Sequence, residues 1–165
     1  MEYAIVEIAW GAFGFVVRRG KLIGTFLPAA KQVVKRAIRT RWPDAVENAA
    51  LMPEFQRSIA AYFCGNSIKF SVEVDVSDFT PFQQSVLESC RRIPYGHTAS
   101  YADLARAVGK PRASRAVGGT MAVNPLPLVV PCHRVVRSDG SIGGFSSPRG
   151  LAEKERLLRL EDALT

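Results

Sequence analysis

The first part of the chain alternates short apolar runs with glycine and charged residues. Three of these runs are rich in β-branched and aromatic side chains, at residues 3–10, 13–19 and 22–27. Runs of this kind, separated by turn residues, are typical of strands, so we predict a meander of three strands. Helical patterns follow at about residues 30–41 and 53–64, and each is stopped by proline or glycine.

A change of pattern near residue 77 divides the chain into two predicted domains, residues 1–76 and residues 77–165. Residues 71–76 alternate valines with polar residues, which predicts a strand. Residues 78–81 then begin a helix with apolar positions at three- and four-residue steps. These positions are Phe79, Phe82, Val86, Cys90 and Ile93. Because such a stripe faces the interior, we interpret Cys90 as core packing.

Two short helices joined by a glycine-containing turn are predicted next. Ser100 is a good N-cap for a helix over residues 101–108. The turn Gly109-Lys110-Pro111 leads to a second helix over residues 113–122. This arrangement is the sequence form of a helix-turn-helix.

The outward face of the second helix consists almost entirely of very small residues. They are Ala113, Ser114, Ala116, Gly118 and Gly119. Glycine in a helix costs roughly 1 kcal/mol against alanine, so this face must favour close approach. Two interpretations are open: tight packing on another helix, or a face that lies directly against a groove of DNA with Arg115 as the one long probe.

Composition and charge fit a globular protein with a polyanionic partner. The chain has 165 residues, of which 47% are hydrophobic and 22% charged, enough to bury a core. A net charge of +7 and a pI near 9.7 favour a polyanion. Without a basic leader segment or a long apolar stretch, we expect a cytoplasmic protein with no membrane contact. Three cysteines without framework spacing predict a reducing compartment.

The candidate chemistry lies in a proline-rich stretch at residues 124–136. Three prolines restrict the backbone there, so Cys132 and His133 are presented by a preorganised loop. Cysteine suits attack on an alkyl carbon because thiolate sulfur is soft, polarizable and partly ionised near neutral pH. Neighbouring side chains diverge in strands and helices, so we expect a bridging water between the two rather than direct contact.

A carboxylate for the histidine is expected from a C-terminal helix, predicted over residues 151–164. The apolar stripe of this helix is Leu157, Leu160 and Leu164. Glu161 lies among these leucines, where it would orient His133 in an arrangement of nucleophile, base and orienter. The alternative is a solvent-exposed helix glutamate.

On these residues, the second half of the chain resembles the methylated-DNA–protein-cysteine methyltransferases, the O6-alkylguanine-DNA alkyltransferases. The likeness covers residues 80–161 and is most specific at Pro131-Cys132-His133-Arg134-Val135. Further motifs fall in register with it, namely Pro94-Tyr95-Gly96, Ser100-Tyr101, Ser114-Arg115-Ala116-Val117-Gly118-Gly119 and Asn124-Pro125. The first half resembles the family only in its order of strands and helices.

The resemblance implies an α+β fold. Its N-terminal part is a small β-sheet with helices, ribonuclease H-like, and its C-terminal part is mostly helical, with the helix-turn-helix and the active-site cysteine. It also implies direct DNA repair, in which the alkyl group of O6-alkylguanine or O4-alkylthymine in duplex DNA moves irreversibly to Cys132 after the base flips out. Each molecule then works once, as a monomer, without cofactor or metal.

The family's site residues carry over one position at a time. Cys132 matches the alkyl acceptor, His133 the water-mediated base, and Glu161 the carboxylate that hydrogen-bonds the histidine. Asn124 matches the asparagine that braces the active-site turn. Tyr101 matches the tyrosine at the guanine leaving group and the flipping phosphate.

The DNA-binding and pocket residues are implied in the same way. Arg115 matches the finger that enters the duplex where the base has left, and the recognition helix is implied to lie in the minor groove. The other implied DNA contacts are Ser100, Tyr101, Ala113, Ser114, Ala116, Gly118 and Gly119. The implied pocket residues are Pro127, Val135, Phe145 and Ser146. The loop after the active site, residues 143–150, is two residues longer than in the shortest members, which leaves the pocket size open.

Two other classes of function compete with repair. A DNA-binding sensor would recognise alkylated bases through the helix-turn-helix without transfer, but such relatives replace the acceptor cysteine, and Cys132 is present here. A Cys-His hydrolase would attack an acyl carbon and turn over, but no oxyanion loop is recognisable. The joint register of the motifs favours the alkyltransferase.

Overall fold

The chain forms a mixed α+β structure, which confirms the predicted class. The structure, a computed structural model, describes residues 1–147 and 149–164. Pro148, which belongs to the predicted loop after the active site, and Thr165 lie outside the described residues. Two compact units are present, the first ending at Asp75 and the second beginning at Val76.

The first unit is built on the predicted meander of three strands, which is confirmed. β1 (Glu2–Ile8), β2 (Gly11–Arg18) and β3 (Lys21–Ala29) pair antiparallel in sequence. The short strand β4 (Val46–Glu47) adds a parallel edge to β1. The order in the sheet is therefore β3-β2-β1-β4.

Two helices complete the first unit close to their predicted ranges, α1 (Lys31–Arg41) and α2 (Pro53–Phe63). α1 buries Val34 and Ile38 in the core of this unit. A β-carbon at Gly14 of β2 would lie only 2.5 Å from Cγ1 of Val34. The glycine in the strand therefore permits the close approach of the helix to the sheet.

The strand predicted over residues 71–76 is wrong. Val74 forms only an isolated bridge with Leu22, where the Leu22 amide donates to the Glu73 carbonyl at 2.9 Å and the Asp75 amide donates to the Leu22 carbonyl at 2.8 Å. A period of two indicates which side chains turn inward, whereas a strand also needs a neighbouring backbone edge to pair with. Within residues 1–147 that edge is limited to Leu22.

The second unit is mostly helical. Its elements are α3 (Pro81–Arg91), β5 (Ala99–Ser100), α4 (Tyr101–Ala107), α5 (Ser114–Ala122), a 3-10 turn (Cys132–Arg134), β6 (Val135–Val136) and α6 (Gly150–Leu160). Thr80 and Ser100 cap α3 and α4, since each side chain accepts a hydrogen bond from the third backbone amide of its helix. Cys90 is fully buried on α3, which confirms its predicted place in the core.

A short parallel pairing positions the functional segments of this unit. β5 lies beside β6, with Ala99 opposite Val135 and Ser100 opposite Val136. α4 begins directly after β5, and the 3-10 turn ends directly before β6. The pairing therefore brings the first residue of α4, Tyr101, and the first residue of the turn, Cys132, to one region.

The last helix, α6, ends earlier than predicted and buries a different face. It stops at Leu160 instead of Leu164, and Asp162 adopts a φ of 55°, a left-handed conformation that ends the helix. Leu160 and Leu164 are only half-buried. The buried residues of the helix are Glu153, Lys154, Leu157 and Leu158. The predicted leucine stripe is thus wrong at two of its three positions, because charged side chains with polar partners take the inward places.

Candidate active site

Cys132 begins the 3-10 turn, on a loop that Asn124 holds in shape. Nδ2 of Asn124 donates to the Val130 carbonyl at 2.9 Å, and its Oδ1 accepts from the Leu126 amide at 3.0 Å. The Cys132 amide donates to the same Val130 carbonyl at 2.8 Å. The loop is therefore closed on itself beside the cysteine, as a preorganised turn requires.

Cys132 is buried, with only 7% of the residue exposed. Burial raises the pKa of Cys132 above its ordinary value, whereas a hydrogen bond with the Asn124 side chain and the positive charge of Lys154 act in the opposite direction. The thiolate is the nucleophilic form of cysteine. Asn124 and Lys154 therefore favour the reactive form against the effect of burial.

His133, Arg134 and Glu161 form a buried hydrogen-bonded cluster. Nε2 of His133 lies 2.8 Å from Oε1 of Glu161. Arg134 donates from Nε to Oε2 at 2.9 Å, from Nη2 to Oε1 at 2.8 Å, and from Nη1 to the Ile93 carbonyl at 2.7 Å. Glu161 is 2% exposed, so the alternative of a solvent-exposed glutamate is wrong. The structure brings the predicted histidine and carboxylate together.

Burial and the charges of this cluster together determine the protonation of His133. Burial alone would raise the pKa of Glu161, but hydrogen bonds from His133 and Arg134 hold that pKa well below its usual range. Burial lowers the pKa of His133, so its ring is neutral at pH 7. Because a carboxylate only accepts hydrogen bonds, Nε2 carries the ring proton and Nδ1 keeps its lone pair. Within the described residues, that Nδ1 atom has no hydrogen-bond partner.

Two charged residues of this site were not predicted from the sequence, Arg134 and Lys154. Lys154 is fully buried on α6, and its Nζ donates to the Val135 carbonyl at 2.5 Å and to the Gly144 carbonyl at 3.2 Å. A signal for it was present, since a residue seven positions before Glu161 shares its helix face. Arg134 gave no such signal, because its partners Glu161 and the Ile93 carbonyl are distant in sequence.

A cavity of about 150 Å³ opens beside the thiol. It is lined by Tyr101, Gly118, Met121, Ala122, Cys132, Gly144, Phe145 and Ser146. Two of the four predicted pocket residues, Phe145 and Ser146, therefore lie on its wall. Val135 is fully buried in β6, and Pro127 forms a bridge with Val130. Neither of these two is among the described residues that line this cavity.

Tyr101 shares the cavity with Cys132 and stands at the start of α4. Burial raises the pKa of its phenol, and the negative charge that Cys132 carries as a thiolate raises it further. The phenol therefore keeps its proton near neutral pH, where it is able to donate a hydrogen bond or a proton.

The small-residue face of α5 points away from the packed side of that helix. Val117, Thr120 and Met121 are buried, whereas Arg115, Ala116 and Gly119 are exposed. Ala113, Ser114 and Gly118 are half-buried. A β-carbon added at Gly119 would meet no atom within 4 Å. Tight packing on another helix of the described chain therefore does not explain the glycine there, and that interpretation is wrong for Gly119.

The described residues contain free cysteines, no metal-binding cluster and no membrane-spanning helix. Cys64 is exposed, Cys90 and Cys132 are buried, and all three are free thiols. Residues 1–147 and 149–164 contain no cluster of three or more His, Cys, Asp or Glu side chains able to hold a metal ion. None of the helices in the described part of the chain is long and apolar enough to cross a membrane.

The amino-acid sequence is similar to those of known repair proteins. The family model of the 6-O-methylguanine DNA methyltransferase DNA binding domain matches residues 81–163. The methylated-DNA–protein-cysteine methyltransferase of Methanosarcina acetivorans is 43% identical over 120 residues, which cover 72% of this chain and 75% of that protein. The constitutive methylated-DNA–protein-cysteine methyltransferase of Bacillus subtilis is 39% identical over 113 residues, 66% of this chain and 68% of that protein.

The fold is similar to solved structures over nearly the whole chain. Mycobacterium tuberculosis OGT in complex with DNA superposes with a TM-score of 0.82 at 29% identity, covering 99% of this chain and 94% of the other. The O6-methylguanine-DNA methyltransferase of Pyrococcus kodakaraensis gives a TM-score of 0.69 at 27% identity, covering 96% and 98%. With the family model matching half of the chain, we conclude that this protein belongs to the methylated-DNA–protein-cysteine methyltransferases, a family of DNA-repair enzymes.

Proposed function

We propose that this protein repairs DNA directly, by moving the alkyl group of O6-alkylguanine, and of O4-alkylthymine, irreversibly onto Cys132. The observation that carries the proposal is the position of Cys132. Its thiol lies in the wall of a cavity that also contains the Tyr101 phenol. The next residue, His133, is held by Glu161 with one ring nitrogen free to accept a proton.

The side chains of Cys132, His133 and Tyr101 account for every bond and proton that changes place in the transfer. The sulfur of Cys132 bonds to the alkyl carbon while the bond from that carbon to O6 breaks, and the electron pair leaves with the purine. Nδ1 of His133 takes the thiol proton through a bridging water. Tyr101 supplies a proton to the departing purine. The thioether on Cys132 is a poor alkyl donor, so the molecule does not turn over, and no cofactor takes part.

The damaged base reaches the cavity by leaving the duplex. Flipping a base out costs a few kcal/mol, and less for a poorly paired alkylated guanine, which helps selection. We infer that α4 and α5 act as a helix-turn-helix whose second helix enters the minor groove. The exposed small residues of α5 support this, because Ala116 and Gly119 leave room for close contact with the duplex. Arg115, exposed on the same helix, would fill the gap.

The remaining inferred features concern the organisation of the molecule. For the first unit we infer a ribonuclease H-like fold, which the strand order β3-β2-β1-β4 with one parallel edge supports. We keep the predicted domains of residues 1–76 and 77–165, with the chemistry in the second. We infer that a monomer performs the reaction, since one cavity contains both the acceptor thiol and the proton donor. The cytoplasmic location stays a prediction from the sequence.

The decisive experiment is a titration with a duplex that contains one O6-methylguanine. We expect one lesion to be cleared per protein molecule, and the peptide containing Cys132 to gain one methylene in mass spectrometry. The variant Cys132→Ala should clear none while keeping most of its DNA affinity. Cys64→Ala, which removes the exposed cysteine of the first unit, is the matched control and should behave as the parent.

Other outcomes separate the competing functions. Binding of the damaged duplex without any mass gain would identify a sensor. Continued ester cleavage after an initial burst would identify a hydrolase. Either result would refute stoichiometric transfer to Cys132.

A further inference from the structure

Arg137 lies one residue beyond the short strand that follows the active-site turn. That strand, β6, ends at Val136, and its parallel neighbour β5 ends at Ser100, directly opposite Val136. The next residues of the two segments are Arg137 and Tyr101. Because equivalent residues of parallel strands in register lie side by side, the pairing brings Arg137 next to a tyrosine that lines the cavity.

The side chains of Arg137 and Tyr101 meet at one small residue, Gly143. A β-carbon at Gly143 would lie 3.2 Å from the Tyr101 hydroxyl and 3.5 Å from Cγ of Arg137. The next residue, Gly144, lines the cavity together with Tyr101 and Cys132. Arg137 is exposed and is not among the described residues that line the cavity, so its side chain lies at the rim of the cavity.

A tight turn fixes the backbone of Arg137. Its amide donates to the Ser141 carbonyl at 2.9 Å, and its carbonyl accepts from the Gly140 amide at 2.9 Å. Asp139 lies in the same turn, but its Oδ1 accepts from the amide of Ser141 at 2.9 Å and from the hydroxyl of Ser141 at 2.7 Å. These hydrogen bonds are the main reason that the pKa of Asp139 is lowered, and the charge of Arg137 is a smaller one. Among the described residues, no carboxylate forms an ion pair with the Arg137 guanidinium.

An unpaired guanidinium at this rim suits the phosphates of an extruded nucleotide. The positive charge of Arg137 acts on the Tyr101 phenol, whose pKa it lowers against the larger, opposite effect of burial. When a base enters the cavity, its sugar and the two adjoining phosphates stay outside, because the DNA strand continues on both sides. Arginine binds phosphate through two parallel hydrogen bonds, and contacts of this kind fix the position of DNA on a protein.

We propose that Arg137 is a phosphate-binding residue, which holds a phosphate beside the flipped nucleotide and so keeps the damaged base in the cavity with Cys132. The inference rests on the proposed function, because it takes the flipping of the base toward Cys132 as given. It goes beyond that function by assigning a DNA contact to a residue outside the helix-turn-helix. Arg115 would fill the gap that the base leaves, whereas Arg137 holds the nucleotide that has left.

The first test compares three substrates that contain O6-methylguanine: a duplex, a single-stranded oligonucleotide and the free base. For each substrate, mass spectrometry of the Cys132 peptide gives the single-turnover rate of methylation. For Arg137→Gln we expect roughly tenfold slower transfer from both DNA substrates, because one charge-assisted contact with phosphate is lost. Transfer from the free base, which has no phosphate, should stay within about twofold of the parent rate.

Two other variants and a stability measurement are the controls. Arg159→Gln removes the same charge from an exposed position on α6 and should leave all three rates near the parent values. Arg137→Lys keeps the charge without the planar fork, so its rates on DNA should lie between those of the parent and of Arg137→Gln. Because Arg137 is exposed, Arg137→Gln should keep the unfolding midpoint of the parent.

The second test identifies the phosphate. A methylphosphonate, which has no charge, replaces the phosphate on the 5′ side or on the 3′ side of the lesion in the single-stranded oligonucleotide. At one of these positions the replacement should slow the parent roughly tenfold. It should slow Arg137→Gln by less than about twofold there, because this variant has already lost the contact.

The results separate this inference from the proposed function. If the parent methylates Cys132 and Arg137→Gln repairs both DNA substrates at the parent rate, the inference alone is overturned. An equal loss of rate on the free base would overturn it as well, since Arg137 would then act through Tyr101 and not on a phosphate. Equal losses for parent and Arg137→Gln at both methylphosphonate positions would have the same meaning. A parent without any mass gain at Cys132 would refute the proposed function, and this inference with it.

Discussion

Neutralising Glu161 tests whether the buried carboxylate holds the site together. Glu161→Gln keeps the shape of the side chain and removes its charge. In the parent, the two oxygens of Glu161 accept four hydrogen bonds. One comes from His133, two come from Arg134, and one comes from the Gly96 amide at 3.4 Å. An amide has one oxygen, and its NH2 group would face these donors. Arg134 would then be a buried cation with the Ile93 carbonyl and, at 5.9 Å, the Tyr95 ring as its neighbours.

The size of the effect follows from the separation of the charges. Two unit charges about 4 Å apart interact by roughly 4 kcal/mol at an effective dielectric constant near 20. Removing one partner of a buried pair costs about 3 to 5 kcal/mol, because the other charge is left uncompensated. We therefore expect Glu161→Gln to lower the free energy of unfolding by about 3 kcal/mol or more. A domain is typically stable by about 5 to 15 kcal/mol, so the variant should still fold at 25 °C.

The measurement is urea denaturation of the parent, Glu161→Gln, Arg134→Met and the double variant. The double variant removes both charges and should be less destabilised than the sum of the single variants. Asp162→Asn is the matched control, since it neutralises the exposed neighbouring carboxylate, and should change stability by less than about 0.5 kcal/mol.

The pH dependence of the same measurement gives a second check. The folded-state pKa of Glu161 is lowered from a reference of 4.5, so its contribution is complete above about pH 4.5 and is lost as the pH falls toward the folded pKa. The difference in free energy of unfolding between the parent and Glu161→Gln should therefore be constant near neutral pH and become smaller in acid. Two results together would show that the carboxylate does not hold the buried arginine. The free energies of unfolding of the parent and Glu161→Gln would differ by less than about 1 kcal/mol at pH 7, and the effects of Glu161→Gln and Arg134→Met would add up in the double variant.

Two further predictions concern the rate of repair. Burial, and to a smaller extent the charge of Arg134, lowers the pKa of His133. Arg134→Met should therefore raise the pKa of His133 and move the acidic limb of the pH-rate profile to higher pH in single-turnover assays. An acidic limb at the same pH as in the parent would contradict the role of His133 as base. Arg115→Ala should slow transfer on duplex DNA about tenfold, corresponding to roughly 1.4 kcal/mol of the base-flipping cost, but not on single-stranded DNA. Arg92→Ala, another exposed arginine, is its control, and an equal loss there would indicate general charge attraction.

Much of the local structure could be predicted from the chain because it depends on neighbouring residues. The Ser100 hydroxyl needs only the backbone amide three residues later, and the Asp103 carboxylate bonds back to the Ser100 amide, so both hydrogen bonds of a capping box are present. The proline-rich loop likewise limits its own backbone, which allowed Cys132 and Asn124 to be singled out. Side chains and turns of this kind act over a few residues, whatever the rest of the chain does.

The failures of prediction share one cause. Alternating valines at residues 71–76 and the leucines of the last helix were interpreted by period alone. A period indicates which side chains share a face, but it does not show which backbone edge or polar group that face will meet. Residues 71–76 found a single partner in Leu22, and α6 turned Lys154 inward because two carbonyls were there to accept its hydrogen bonds.

The candidate site residues, the proline-rich loop on which Cys132 lies and the family of the chain could all be recognised before folding was considered. The electrostatics of the candidate site depend on folding. Glu161 lies 28 residues from His133 along the chain, and Lys154 lies 10 residues from Gly144, so their contacts exist only after folding. A charge becomes tolerable in the interior when distant segments bring it partners, and local sequence contains no record of which segments will meet.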